Sequence, residues 1–183
     1  MSRNPQLDAN TATPQQRAVM EEIIGGPHGR LVGPYHAWLQ SPELARRCRN
    51  LSEFIRFKTP LPARLQELAI LITGRYWQAE FEYYAHAILA RKAGLDEGII
   101  QAIAAGQQPP AMQPDEALVY RLAMEMYETH RISDATYAEA QQVLGMEQLV
   151  VLVATMGYYC MVSMTLNTFQ VPLPPGEPSP FQD

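Results

Sequence analysis

The chain has 183 residues, 47% hydrophobic and 18% charged, with a formal net charge of −5 and a pI near 5.4. That length suits one domain with a substantial core, and the acidic balance argues against a nucleic-acid binder, which needs a basic face. The two cysteines, Cys48 and Cys160, stand far apart and outside any Cys-x-x-Cys pair, which argues against a disulfide framework or a thiolate zinc site and suits a reducing cytosol.

Residues 1–13 are polar and read as a frayed segment. No apolar run follows Met1-Ser2-Arg3-Asn4-Pro5, so no secretory signal is visible and a cytoplasmic location is expected. Thr13-Pro14 predicts a helix start, with threonine as cap and proline in the first turn. That helix runs to about Ile24 and stops at Gly25-Gly26-Pro27. A loop follows from Gly29 to Pro34, then a short apolar stretch from Tyr35 to Gln40. Ser41-Pro42 opens a helix to about Lys58, with Leu44, Leu51, Phe54 and Ile55 on one side and Thr59-Pro60 as its end. Within it, Arg46-Arg47-Cys48-Arg49 reads as a solvated face. Leu61-Pro62 opens the next helix, with Leu65, Leu68, Ala69 and Ile72 as its buried stripe and Gly74 as its stop.

A helix from about Ala79 to Ala93 is closed by Gly94, and Asp96 caps a short one that ends near Ala105. Pro114 begins a long helix to about Thr129. Ser133-Asp134 caps another that ends near Leu144-Gly145, and a last one runs from about Met146 to Phe169. The segment from Gln148 to Gln170 carries no charge, the length of a membrane span. Its Thr155, Gly157, Tyr158, Tyr159, Ser163 and Asn167, and the lack of basic anchors, favour a helix buried on several faces instead, so no membrane association is expected. The expected architecture is a single all-α bundle of seven or eight helices over residues 14–170. An extended, proline-rich tail follows at 171–183.

The residues able to do chemistry concentrate between Leu61 and Gly94. Glu82 and His86 are four apart and share a helix face, and a carboxylate beside an imidazole orients the ring and raises its basicity. Glu67 lies one helix earlier in an apolar stripe, where a carboxylate is either partnered or has its pKa raised. If the chain turns back between Gly74 and Trp77, Glu67 approaches the Glu82–His86 face. Spacing alone leaves blander readings open: a surface Glu/His pair, a Glu67–Arg64 pair, and core roles for Trp77, Tyr83 and their aromatic neighbours. His36, near Tyr35 and Trp38, is a candidate pocket residue, while His28 sits in a loop and His130 at a helix end. Glu67, Glu82 and His86 have the chemistry of a three-ligand metal set, but the expected site is acid–base, with no metal and no cofactor. No phosphate loop, dinucleotide glycine fingerprint or Gly-x-Ser-x-Gly elbow is present.

The stretch from Leu61-Pro62 through Glu67, Glu82-Tyr83-Tyr84-Ala85-His86 and Ala90-Arg91-Lys92-Ala93-Gly94-Leu95 resembles the carboxymuconolactone decarboxylase-like family, which includes the alkyl hydroperoxidase D proteins. Ser41-Pro42-Glu43-Leu44 and the Asn167–Pro174 segment are similar to its longer members, so the resemblance covers the chain from about Gly33 onward. It implies an all-α fold with active residues on two antiparallel helices, and homo-oligomers, usually trimers or hexamers. In the peroxidase branch a Cys-x-x-Cys pair precedes the motif histidine by seven and four residues. Here those positions are Ala79 and Glu82, which cannot run a thiol relay. Glu67 and His86 match the family's glutamate and histidine. The resemblance therefore implies a cofactor-independent lyase acting on a small cyclic carboxylic acid or lactone. In it His86 moves the proton, Glu82 orients it and Glu67 is a second carboxylate. Trp77, Tyr83 and His36 shape the pocket, and Arg75 is the candidate for holding a carboxylate. Typical decarboxylases lack much of residues 1–60. The alternatives are an antioxidant peroxidase working through Cys48 or Cys160, and a non-catalytic ligand-binding oligomer.

Overall fold

The computed structural model describes residues 3, 6–8 and 10–181, in which every regular element is helical. The helices are α1 (Pro14–Ile24), α2 (Tyr35–Trp38), α3 (Pro42–Phe57), α4 (Ala63–Tyr76), α5 (Glu80–Lys92), α6 (Glu97–Ala104), α7 (Pro114–Thr129) and α8 (Asp134–Phe169). Local chemistry sets their starts. Thr13 and Gln16 close a capping box on α1, Asp96 accepts the Gly98 N–H at 2.8 Å on α6, and Ser133 accepts the Thr136 N–H on α8, each satisfying a backbone donor that the helix cannot. α8 is broken at Gly145 (φ 74°, ψ 167°), a left-handed residue where glycine costs least, so the two helices expected on either side of it are both present.

α4 is the axis of the bundle. Every residue from Leu65 to Gly74 is buried, because α5, α6, α7 and α8 all pack on it. Truncating one of its fully buried leucines, Leu68 or Leu71, to alanine would cost about 2–5 kcal/mol. Gly74 does not stop α4, as expected, but lies inside it where α5 crosses. A Cβ there would already touch Tyr83 and the Glu82 side chain at 3.5–3.7 Å, so larger side chains would part the two helices. The reversal comes later, at Gln78 (φ 52°), with the Ala79 N–H bonded to Gly74 O at 2.8 Å.

Two apolar clusters result. One joins α4 to α5, α6, α7, the front of α8 and Phe181. The other joins α1, α2 and α3 to the later part of α8 and to Ile70 of α4. α3 enters this second cluster through Ala45, Cys48, Ser52 and Ile55. The expected side with Leu44, Leu51 and Phe54 faces outward instead, at 45%, 44% and 42% exposure, since the small residues allow closer approach to α1 and α2. The Arg46-Arg47-Arg49 run is a face of ion pairs to Glu22, Glu43 and Glu53.

The uncharged half of α8 belongs to a helix long and apolar enough to cross a membrane, and 56% of its most apolar window is buried inside the bundle. That is the burial expected of a core helix. At the amino end, residues 1, 2, 4, 5 and 9 of the expected frayed segment lie outside the described residues. The rest is tied in: Asp8 accepts the Asn10 and Thr11 N–H groups and Ala12 is buried. The tail, described to Phe181, is extended but docked. Ser179 bonds Glu80, and Phe181 wedges between the Tyr83 ring at 5.1 Å and the Arg75 guanidinium at 4.9 Å.

Candidate active site

The antiparallel α4–α5 pair places Glu67 one turn into α4 and Glu82 and His86 one turn apart on α5. Glu82 sits in the first turn of α5, where a carboxylate suits the helix dipole. All three are buried, at 4–6% exposure. His86 Nδ1 lies 2.6 Å from Glu67 Oε2, a short bond of the charge-assisted kind. On the other side of the ring, Nε2 is 3.1 Å from Glu82 Oε1, but that oxygen has no hydrogen bond. The distance fits an ion pair and the alignment does not make a bond. Glu67, not Glu82, therefore fixes the ring.

A fourth charge completes the group. Arg56, in the last turn of α3, brings Nη1 to 3.4 Å from His86 Nε2 and Nη2 to 4.0 Å from Glu67 Oε1. Its placement is secured by the buried Gln66 side chain, which donates to Ile55 O at 2.7 Å and ties α4 to the end of α3. The Tyr159 ring meets His86 edge-on at 4.9 Å. Burial alone would push the His86 imidazolium down, but Glu67 and then Glu82 outweigh it and its pKa stands raised, at about 9. At neutral pH the ring is a cation between two acids, with a guanidinium alongside.

This cluster forms part of the wall of a cavity of about 650 Å³, and its lining includes Arg56, Glu82, His86 and Tyr159. That volume is in the range that accepts a small molecule. Apolar and aromatic side chains also line it, with Phe57, Phe81, Tyr158 and Val162 among them, and Pro174 of the tail joins the lining.

Glu67, Glu82 and His86, singled out from the sequence, meet as that reading requires. The four residues expected to bind substrate do not line the cavity. Tyr83 turns inward and donates to Ile100 O. Trp77 caps α4, and its carbonyl accepts from Asn167. His36 accepts the Leu7 N–H at 3.4 Å. Arg75 covers Phe181 on the far side of α4. The α4–α5 crossing turns Trp77, Tyr83 and Arg75 away, and no local spacing records that. Arg64 pairs with Asp115 and Glu116 and not with Glu67. Sequence reasoning missed Arg56, although a signal existed. The buried face of α3 runs through Ala45 and Ser52, and one more turn, four residues on, reaches Arg56.

Neither cysteine reaches the cavity lining. Cys48 is buried, and burial pushes its thiol pKa up, away from the thiolate that redox chemistry needs. Cys160 lies 3.6 Å from the Tyr127 hydroxyl. Among the described residues no group of three or more histidine, cysteine and acidic side chains is arranged to hold a metal ion, and His86 has a carboxylate at each ring nitrogen.

No protein-family model matches the chain, and no curated protein matches it. Among solved structures it is similar to the alkylhydroperoxidase AhpD core structure of an uncharacterized peroxidase-related protein from Ralstonia eutropha JMP134. The TM-score is 0.75 at 15% identity, over 95% of this chain and 93% of that one. At that identity the likeness establishes the fold: the chain has the AhpD-like helical fold.

Proposed function

We propose that the protein is a cofactor-independent acid–base enzyme of the lyase class, acting on a small cyclic carboxylic acid or lactone, as the resemblance to the carboxymuconolactone decarboxylase-like family implies. The observation that supports it is His86, buried between Glu67 and Glu82 at the wall of a cavity sized for a small molecule. In decarboxylation the bond between ring and carboxylate breaks, carbon dioxide leaves, and the electron pair passes into the ring toward a conjugated carbonyl. His86 then gives its Nε2 proton to the carbon left behind. A guanidinium on the departing carboxylate would stabilise the charge that must leave, so Arg56 serves better beside the carbonyl oxygen that gathers charge. Glu82 Oε1 returns a proton to His86 from cavity water. A general acid of this kind contributes about 10²–10⁴ in rate.

The test is release of carbon dioxide from a lactone carboxylic acid. The wild type turns it over and His86→Ala does so at least about 100-fold more slowly while keeping its helical circular dichroism. Equal rates would overturn the assignment. A thiol peroxidase has no cysteine at the cavity to support it.

We further propose that copies of the chain assemble into a trimer or hexamer. Val143, Met146, Val150, Val153 and Met164 of α8 are exposed, and an apolar row of this length is costly to leave in water. Light scattering of the purified protein checks it, and a monomer overturns it.

A further inference from the structure

The cavity holds a second pair of polar groups beside the His86 cluster. Of the buried side-chain atoms without a hydrogen-bond partner among the described residues, four belong to residues that line this one cavity: Arg56 Nε, Glu82 Oε1, His28 Nε2 and Tyr35 Oη. Buried polar groups are normally satisfied, so a cluster of exceptions around one space marks where a ligand supplies the partners. Arg56 and Glu82 belong to the cluster already described. His28 and Tyr35 do not. They come from the loop after α1 and from α2, and an edge-on chain of rings links them to His86. It passes from His86 to Tyr159 (4.9 Å), Tyr158 (5.3 Å), Trp38 (6.1 Å), Tyr35 (5.6 Å) and His28 (5.7 Å).

Tyr35 is 4% exposed, and its ring is fixed by Trp38 on one side and His28 on the other. The His28 ring is held in turn against Phe57 at 5.4 Å. Both polar atoms are therefore positioned by packing and lack a partner of hydrogen-bond geometry, with the Ser52 hydroxyl of the same lining standing near Tyr35 Oη. The chemistry they offer is neutral. Burial and then the nearby Arg56 and Arg49 lower the His28 pKa, so the ring is an uncharged imidazole with one donor and one acceptor, and a phenol offers the same pair. A hydroxyl group complements such a pair, accepting from one and donating to the other. Of the cations in the lining, Arg56 already faces Glu67 at 4.0 Å, while Arg30 and Lys92 are exposed.

We infer that His28 and Tyr35 form a hydroxyl-recognising subsite, so that the ligand is a ring compound bearing an acid or carbonyl group toward Arg56 and His86 and an uncharged hydroxyl toward His28 and Tyr35. This rests on reading the cavity as the substrate site, but not on which bond is broken there. It also gives the amino-terminal helices a role in specificity, because they supply both groups.

Binding alone tests it. Calorimetric titration of the whole protein with benzoate, 3-hydroxybenzoate and 4-hydroxybenzoate should show at least one hydroxylated acid binding about tenfold tighter than benzoate. Tyr35→Phe and His28→Phe keep the ring contacts. Each should bring the hydroxylated acid down to the benzoate affinity while leaving benzoate unchanged, which also certifies the pocket. No binding by any of the three, no hydroxyl preference in the wild type, or a preference that survives both substitutions overturns the subsite. A wild type that shows the preference but releases no carbon dioxide from lactone acids would sink the reaction and leave the subsite standing.

Discussion

Two ion clusters, each anchored on α4, are put to different ends. Around Arg64, the guanidinium reaches Asp115 at 2.7 Å and also Glu116. The other Glu116 oxygen takes the Gln113 N–H at 2.7 Å, and Asp115 takes the Glu116 N–H at 2.9 Å. Each acid is saturated and the cluster nails the start of α7 to α4. Around His86, Glu67 is matched, yet Glu82 Oε1 and Arg56 Nε are left without bonds beside a cavity. Burial is nearly equal, with Glu116 at 3% and Glu67 at 6% exposure. Saturation, more than burial, separates a clamp from a site able to do chemistry.

That contrast can be broken in order of effect. Arg56→Met removes the cation beside the imidazole and should slow turnover of the lactone acid by about 10²–10³ with little change in the urea midpoint. A large loss of stability at full activity would put Arg56 in the clamp class instead. Arg64→Met should do the reverse, costing about 3–5 kcal/mol in urea unfolding, because Glu116 keeps its burial without its cation, while the folded fraction keeps its turnover number.

Smaller is the pH effect. The His86 pKa in the fold, about 9, lies above its ordinary 6.5. Its stabilising contribution is therefore complete below pH 6.5 and is lost as pH climbs through 9, by an amount on the order of 3 kcal/mol. Glu67→Gln should flatten that decline in thermal melts across pH 6–10, and an unaltered profile would show that the two groups are uncoupled. Smallest of all, replacing Cys48 and Cys160 together by alanine should leave turnover within about twofold. A drop of a hundredfold would revive thiol chemistry.

The helices were legible almost residue by residue, because their signals are local: Thr13-Pro14, Asp96, Ser133 and the glycine at 145 act on their own neighbours. The acid–imidazole triad was legible too, since Glu82 and His86 share a helix and only one reversal brings Glu67 to them. What failed depended on rotation. Trp77, Tyr83 and Arg75 are close to the motif in sequence, but the α4–α5 crossing points them away from the cavity. Arg56, His28 and Tyr35 come from segments with no local link to the motif, and only the packing of α3 through its small residues brings them in.

The row of rings that ends at His28 also makes the protein its own optical reporter. Trp38 stands within that row, its indole N–H tied to Thr165 at 3.1 Å, whereas the other tryptophan, Trp77, lies outside the cavity lining. With Trp77 replaced by phenylalanine, the fluorescence left would come from a single indole one ring away from whatever occupies the chamber. Occupancy could then be followed in a stopped-flow instrument without any label, for compounds that are never turned over as well as for those that are.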